Sequence, residues 1–257
     1  MCFRVQTKMK EFLLGGDRID HLKWWDLVIL AVIFFGYSTY ISTVGFLALE
    51  DPILGDLTPT EFSTNDNYEA FFDQLFFFVI AAVYLILRRF NFKQWTIRIT
   101  LKSTFAGIVI FVGVALLFDA YHSIVALFIQ PLESAIEAAE SSEVIGQSNL
   151  EALIAKIDLS LVLFSLQNGF YEEIFFLGIC LSVAPKYRVA AFIFSLVVRT
   201  VFHTYQGLSS ALAIGLILGI AFYFLYTRSK DKNLYPFFLA HAICDVVGLA
   251  ILYLFGI

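Results

Sequence analysis

Seven long apolar runs, separated by short charged stretches, leave this chain few ways to fold. They are Trp25 to Leu49, Ala70 to Leu87, Phe105 to Ile129, Leu159 to Ala184, Val189 to Tyr205, Leu208 to Tyr226 and Tyr235 to Phe255. Each comes close to the roughly 20 residues an α-helix needs to cross the hydrocarbon of a bilayer, where any unpaired backbone group is costly. A water-exposed alternative fails for lack of polar material. Of 257 residues, 60% are hydrophobic and 15% charged, against about 25% charged in an ordinary soluble domain. The expected fold is an all-α polytopic membrane protein, a helical bundle of about seven transmembrane helices. The first run follows charged residues and has no small-residue cleavage site, so it reads as a retained span and not as a signal peptide. The three cysteines, Cys2, Cys180 and Cys244, are odd in number and lack metal-finger spacing, so they read as small core residues and not as a disulfide framework.

The loop charges test the number of spans independently. With a cytoplasmic N-terminus, the inner segments contain Arg4, Lys8, Lys10, Arg18 and Lys23, then Arg88, Arg89, Lys93, Arg98 and Lys102, then Lys186 and Arg188, then Arg228, Lys230 and Lys232. The outer segments are acidic, with Glu50, Asp51, Asp56, Glu61, Asp66 and Glu69 in one and Glu133, Glu137, Glu140, Glu143 and Glu151 in the next. This alternation follows the positive-inside rule, and a miscounted helix would scramble it from that point onward. Residues 1–24 are expected to be a cytoplasmic basic segment. Residues 131–157 have helical spacing that suits a surface helix or a solvated connection.

Past the first turns of the runs, where Asp26 and Asp73 sit, ionisable side chains are few: Asp119, His122, Glu172, Glu173, Arg199, His203, His241 and Asp245. Such residues are expensive in a membrane and face the bundle interior or a water-filled cavity. Their spacing is orderly. His203 follows Arg199 by four and Asp245 follows His241 by four, so each pair shares a helical face, and Asn168 precedes Glu172 by four. Glu172 and Glu173 point about 100° apart on a regular helix, which predicts separate targets. One faces the reaction space and the other reaches the one intramembrane cation, Arg199. A helix-packing ion pair would explain Glu173 and Arg199 alone. Two histidines and three carboxylates on three helices exceed what packing needs. They match what hydrolysis needs, namely groups that take a proton from water and donors for the oxyanion that follows.

The stretches "EEIFFLG" (172–178), "RTVFHTYQG" (199–207) and "HAICD" (241–245) resemble, in order, three motifs of the CPBP family, the CAAX protease and bacteriocin-processing intramembrane proteases. The resemblance implies that Glu172 activates water with His203, that His241 and Asp245 support the oxyanion, and that Glu173 is a structural glutamate. Glu173, Arg199 and Asn168 stand as supporting residues. Leu177 occupies the place where the commonest first motif has Arg, and Phe202 the place of a Tyr in the second. Arg199 can replace the missing charge. The resemblance further implies an intramembrane cavity and a division into residues 25–158, the N-terminal spans with acidic outer loops, and 159–257, a catalytic core. At 1.5 Å per residue, straight helices would set Glu172, His203 and His241 about 18, 20 and 10 Å deep. The helices must therefore tilt or break near the site.

The resulting expectation is a glutamate-dependent endopeptidase using no metal and no cofactor, in a bacterial plasma membrane. Its partners would be the lipid bilayer and a membrane-associated peptide or lipidated protein, such as a prenylated CAAX tail or a bacteriocin leader; no nucleic acid is expected. One alternative is an idle binding or immunity protein. Another uses Glu172, His203, His241 and Asp245 as a metal set, although the chain lacks the H-E-x-x-H pattern. A transporter fits less well, because no interrupted inverted repeats are visible. Phe71, Phe72, Phe76, Phe77 and Phe78 read as lipid-facing, with an apolar substrate groove as the other use. Topology is open to direct measurement. In intact cells, cysteines placed at 60 and 145 should react with an impermeant thiol reagent, and those at 93 and 230 should not; labelling at 93 would reverse the orientation.

Overall fold

The computed structural model describes residues 18–53, 63–133 and 149–255. Most of the basic N-terminal segment and much of both acidic loops lie outside the described residues. Among the described residues nine helices carry the fold: α1 (Trp24–Ala48), α2 (Thr64–Leu87), α3 (Leu101–Glu133), α4 (Asn149–Lys156), α5 (Leu159–Glu173), α6 (Arg188–Phe202), α7 (Leu208–Leu212), α8 (Gly219–Arg228) and α9 (Tyr235–Val247). Two π-helical turns, Ile174–Ile179 and Ala213–Leu218, continue α5 and join α7 to α8. Among the described residues there is no strand. Three isolated bridges, Ile19 to Phe90, Leu22 to Val183 and Thr96 to Asn233, tie together the connections that carry the basic residues.

The protein is an integral membrane protein. Among the described residues, four helical stretches are long and apolar enough to cross a bilayer: Trp24–Ala48, Thr64–Leu87, Leu101–Val125 and Leu208–Arg228. The fourth, fifth and seventh sequence runs form shorter or interrupted helices, so length alone does not give seven spans. Each interruption has a local cause. The fourth run widens into the π turn after Glu173, where the Cys180 N–H reaches the Phe175 carbonyl. The fifth ends at Phe202, and a 3-10 turn at Thr204–Gln206 leads into Gly207 with φ 85°. The seventh stops at Val247, because Gly248 (φ 100°) reverses the chain. The residues after it turn back, and the Ile251 and Leu252 N–H groups donate to the Asp119 carboxylate at 3.1 and 3.2 Å.

Polar side chains set where the long helices begin. Ser63 and Asp66 cap α2 reciprocally, with the Ser63 N–H donating to Asp66 at 2.8 Å. The fully buried Asp26 on the first turn of α1 accepts from Tyr84 at 2.6 Å and from Arg88 at 2.7 and 3.0 Å, joining the start of α1 to the end of α2. Asp158 caps α5 through the Leu161 N–H (2.8 Å) and also accepts from Thr64 (2.8 Å). These donors hold its carboxyl below the usual range, the Leu161 N–H most of all. Its contribution to stability is therefore complete above the unfolded-state value and fades as pH falls through the lower folded one.

The core lies where α5 and α9 meet, with α3 packed on the other side of α9. Gly169 makes the α5–α9 approach possible: a Cβ there would run into the Phe238 carbonyl oxygen and come within 2.9 Å of the Ala242 nitrogen. Gly113 on α3 has open space at the same test. Of the Phe cluster, Phe72 and Phe76 are exposed on the outer side of α2, as lipid-facing residues should be, whereas Phe77 and Phe78 pack against the core. Gly169→Ala should push α9 off α5 and cost about 1–3 kcal/mol, read as a lower unfolding midpoint in detergent. Gly113→Ala should leave the midpoint unchanged or raised.

Candidate active site

Three helices deliver the site. α5 carries Asn168, Glu172 and Glu173 on its last turns; α6 carries Arg199 on its last turn, with His203 immediately after; α9 carries His241 and Asp245 one turn apart. The helix breaks make the meeting possible. α9 is only 13 residues long and α6 stops at the site, so residues at different depths along their runs reach one level.

Arg199 is the centre of the cluster. It is 1% exposed, and its Nη2 donates to both oxygens of Glu173 at 2.8 and 2.9 Å. Its Nη1 has no hydrogen bond and lies 3.9 Å from Glu172 Oε2, while the guanidinium stacks over Phe176 at 4.0 Å. The pairing of Arg199 with Glu173 is the one expected from sequence. The expectation that the two glutamates serve separate targets is corrected. His241 Nδ1 donates to Glu173 Oε1 at 2.7 Å, and His241 Nε2 is 3.7 Å from Glu172 Oε1, so both carboxylates converge on Arg199 and His241. Three rotatable bonds let each Glu swing back from a backbone direction that differs by about 100°.

The hydrogen bonds also identify tautomers. His203 Nδ1 faces the Arg199 carbonyl at 2.8 Å; a carbonyl only accepts, so Nδ1 carries the proton and Nε2 keeps its lone pair. His203 is buried against Phe202, with ring centroids 4.0 Å apart, and no direct hydrogen bond or ion pair joins it to Glu172. Glu173 is the acceptor that orients His241. Asp245, one turn after His241 on the same helical face, lies 3.6 Å from the other nitrogen and accepts from Asn168 Nδ2 at 2.9 Å. Glu172 is 3% exposed, and its Oε2 has no partner. Asp245, with 21% of its side chain exposed, is the open edge of the cluster.

Residues 155–247 match the family model described as type II CAAX prenyl endopeptidase Rce1-like. This match, over less than half of the chain, supports a likeness to the CPBP/CAAX protease family. Residues before 155 lie outside the match, and no curated protein or solved structure matches the chain. The matched segment contains all seven site residues named from the sequence. Leu177, at the place of the usual Arg, is buried in the core. Asp119 and His122 fall outside the cluster: Asp119 holds the C-terminal turn, and His122 is exposed beside Phe118 and Tyr121. Gln74 on α2 is not among the residues expected from sequence, because it is uncharged and shares a helical face with no expected site residue. Its signal was an amide inside "FFDQLFFFV".

Glu172, Glu173 and His241 bring ligand-type atoms within 4.8 Å of one another. The Arg199 guanidinium already satisfies Glu173 and lies 3.9 Å from Glu172, and a dication held by the same carboxylates would be repelled by it. The donor set thus suits a bound cation that the protein itself supplies. Arg199→Met should strand Glu173 and cost about 3–5 kcal/mol. Adding Glu173→Leu should recover only part of the loss, because His241 Nδ1 then loses its acceptor. Full recovery in that double-mutant cycle would mean that the Glu173 to His241 bond contributes nothing.

Proposed function

We propose that the protein is a glutamate-dependent intramembrane endopeptidase of the CAAX type, with Glu172 and His203 activating water and His241 and Asp245 serving the oxyanion. The observation that carries this reading is the asymmetry of the two glutamates. Glu173 accepts hydrogen bonds from Arg199 and His241, while Glu172 Oε2 is buried, accepts none, with Arg199 Nη1 3.9 Å away, and can accept one from water.

In this reaction the water oxygen attacks the amide carbon, and its proton passes to Glu172. His203, with its Nε2 lone pair available, accepts the water's other hydrogen bond and orients it. The carbonyl oxygen becomes an oxyanion as the C–O bond forms. With His241 Nδ1 given to Glu173, Nε2 is the atom facing the reaction space, between Glu172 Oε1 and Asp245 Oδ1. Carrying a proton, it donates to the oxyanion. Collapse breaks the C–N bond, and the leaving amine takes the proton from Glu172. Burial of the whole cluster excludes competing water and strengthens each of these interactions.

The substrate class this reading favours is a prenylated CAAX tail, delivered from the bilayer, and a bacteriocin leader is the other peptide to try. We assign a cytoplasmic N-terminus from the loop charges, and a bacterial plasma membrane from the compact size of the chain and the form of its second motif. With prenylated peptide and protein in detergent, Glu172→Gln and His203→Ala should each abolish cleavage while the unfolding midpoint stays near wild type. Asp245→Ala should lower kcat by about two orders of magnitude. Chelators should not alter the rate. Activity that disappears with chelator and returns with Zn²⁺ would establish the metal reading, and a biological role that survives Glu172→Gln would establish the idle binding one.

A further inference from the structure

We propose that Gln74, on α2 and outside the family-matched segment, is a positioning residue that sets the hydrogen-bond polarity of Asp245 through Asn168. The proposal rests on the protease reading only in assigning Asp245 a part in the reaction. Two contacts form the chain: Gln74 Nε2 donates to Asn168 Oδ1 at 2.6 Å, and Asn168 Nδ2 donates to Asp245 Oδ2 at 2.9 Å. Asn168 is buried, and no other side chain hydrogen-bonds it among the described residues.

The direction of the chain follows from chemistry. An ionised Asp245 only accepts, so Asn168 must turn its N–H₂ toward it and its carbonyl toward α2. That carbonyl then demands a donor, and Gln74 must present its amide nitrogen. The polarity ends there, because Gln74 Oε1 is buried without a partner. A buried acceptor left unpaired costs free energy. Gln74 therefore holds Asn168 in the orientation that Asp245 needs, at the expense of its own buried carbonyl. If Asn168 were free to turn over, its carbonyl would face the Asp245 carboxylate and drive it away from His241 Nε2, which Asp245 Oδ1 now approaches to 3.6 Å. The surrounding charges do not supply this control. Glu172 and Glu173 of α5, Arg199 of α6 and His241 of α9 are engaged with one another, and Asp119 of α3 is bonded to the C-terminal turn.

The consequence is a coupling between residues 74 and 245 that depends on donor and acceptor character, not on size. Gln74→Glu offers Asn168 an acceptor, so Asn168 cannot satisfy two carboxylates with the right groups at once. Asp245→Asn removes the conflict, because an amide at 245 can donate to a turned Asn168. The full-length chain should be purified in detergent as wild type, Gln74→Glu, Asp245→Asn and the double variant, with unfolding midpoint and cleavage of prenylated peptide both measured. Gln74→Glu should lower the midpoint and reduce kcat about tenfold or more, and Asp245→Asn should suppress both losses, leaving the double variant like Asp245→Asn alone. Additive effects would overturn the proposal and leave Gln74 a packing residue. The midpoint cycle needs no catalysis, so a wild-type chain that cleaves nothing would defeat the protease reading while the cycle still judged Gln74. Should Gln74→Glu fold in neither background, Gln74→Met takes its place. A tenfold fall in kcat with KM and midpoint unchanged, not additive with Asn168→Leu, supports the chain; a lower midpoint with unchanged kcat overturns it.

Discussion

A guanidinium buried among apolar helices needs compensation, and most of the geometry of this protein's site follows from how Arg199 obtains it. Removing such a charge from water costs several kcal/mol even after relaxation. Glu173 supplies two hydrogen bonds, Phe176 supplies an aromatic face, and the second carboxylate, Glu172, stands just beyond bonding range. Once Glu173 is committed to Arg199, it also holds His241 by Nδ1 and so decides which nitrogen of that ring faces Glu172 and Asp245. One ion pair between α5 and α6 therefore also orders His241 on a third helix. It also leaves Glu172 as the carboxylate with a free oxygen, which is the property a water-activating group requires.

The helix breaks belong to the same account. Regular spans would place Glu172, His203 and His241 at different heights, and a charge network tolerates no such offset, because its interactions fall off within a few ångströms. The π turn after Glu173, the end of α6 one residue before His203, and the stop of α9 at Gly248 each remove the offset locally. Backbone groups freed by these breaks are met from inside the protein, as a membrane interior demands. Asp119 takes the N–H groups of the C-terminal turn, and the His203 ring takes the carbonyl of Arg199.

The N-terminal helices take part as well. Phe34 and Phe35 of α1 pack on Tyr171, Phe175 and Phe202, which flank the charged residues, and the Tyr171 hydroxyl donates to the Phe34 carbonyl at 2.6 Å. α2 reaches Asn168 through Gln74. The segment that matches the family is thus supported on one side by residues that no family motif includes.

Membrane residence, the all-helical class and the ionisable residues that gather in the buried cluster were legible in the amino-acid order alone, because each rests on a local rule. A bilayer demands apolar runs of set length, and an ionisable residue within such a run stands out against it. Glu172, Glu173, Arg199, His203, His241 and Asp245 could be named for that reason, and Arg199 could be paired with Glu173 because no other cation was at hand. What could not be read is whatever depends on side chains from several helices meeting at once. Convergence of both glutamates on Arg199 and His241, Glu173 and not Asp245 as the partner of His241 Nδ1, and the reach of Gln74 across to Asn168 all follow from tertiary packing. Residue spacing specifies direction around one helix axis. It carries no information on the tilt, breaks and separation of neighbouring helices, and differences of about 1 Å in those quantities separate a hydrogen bond from a bare electrostatic contact.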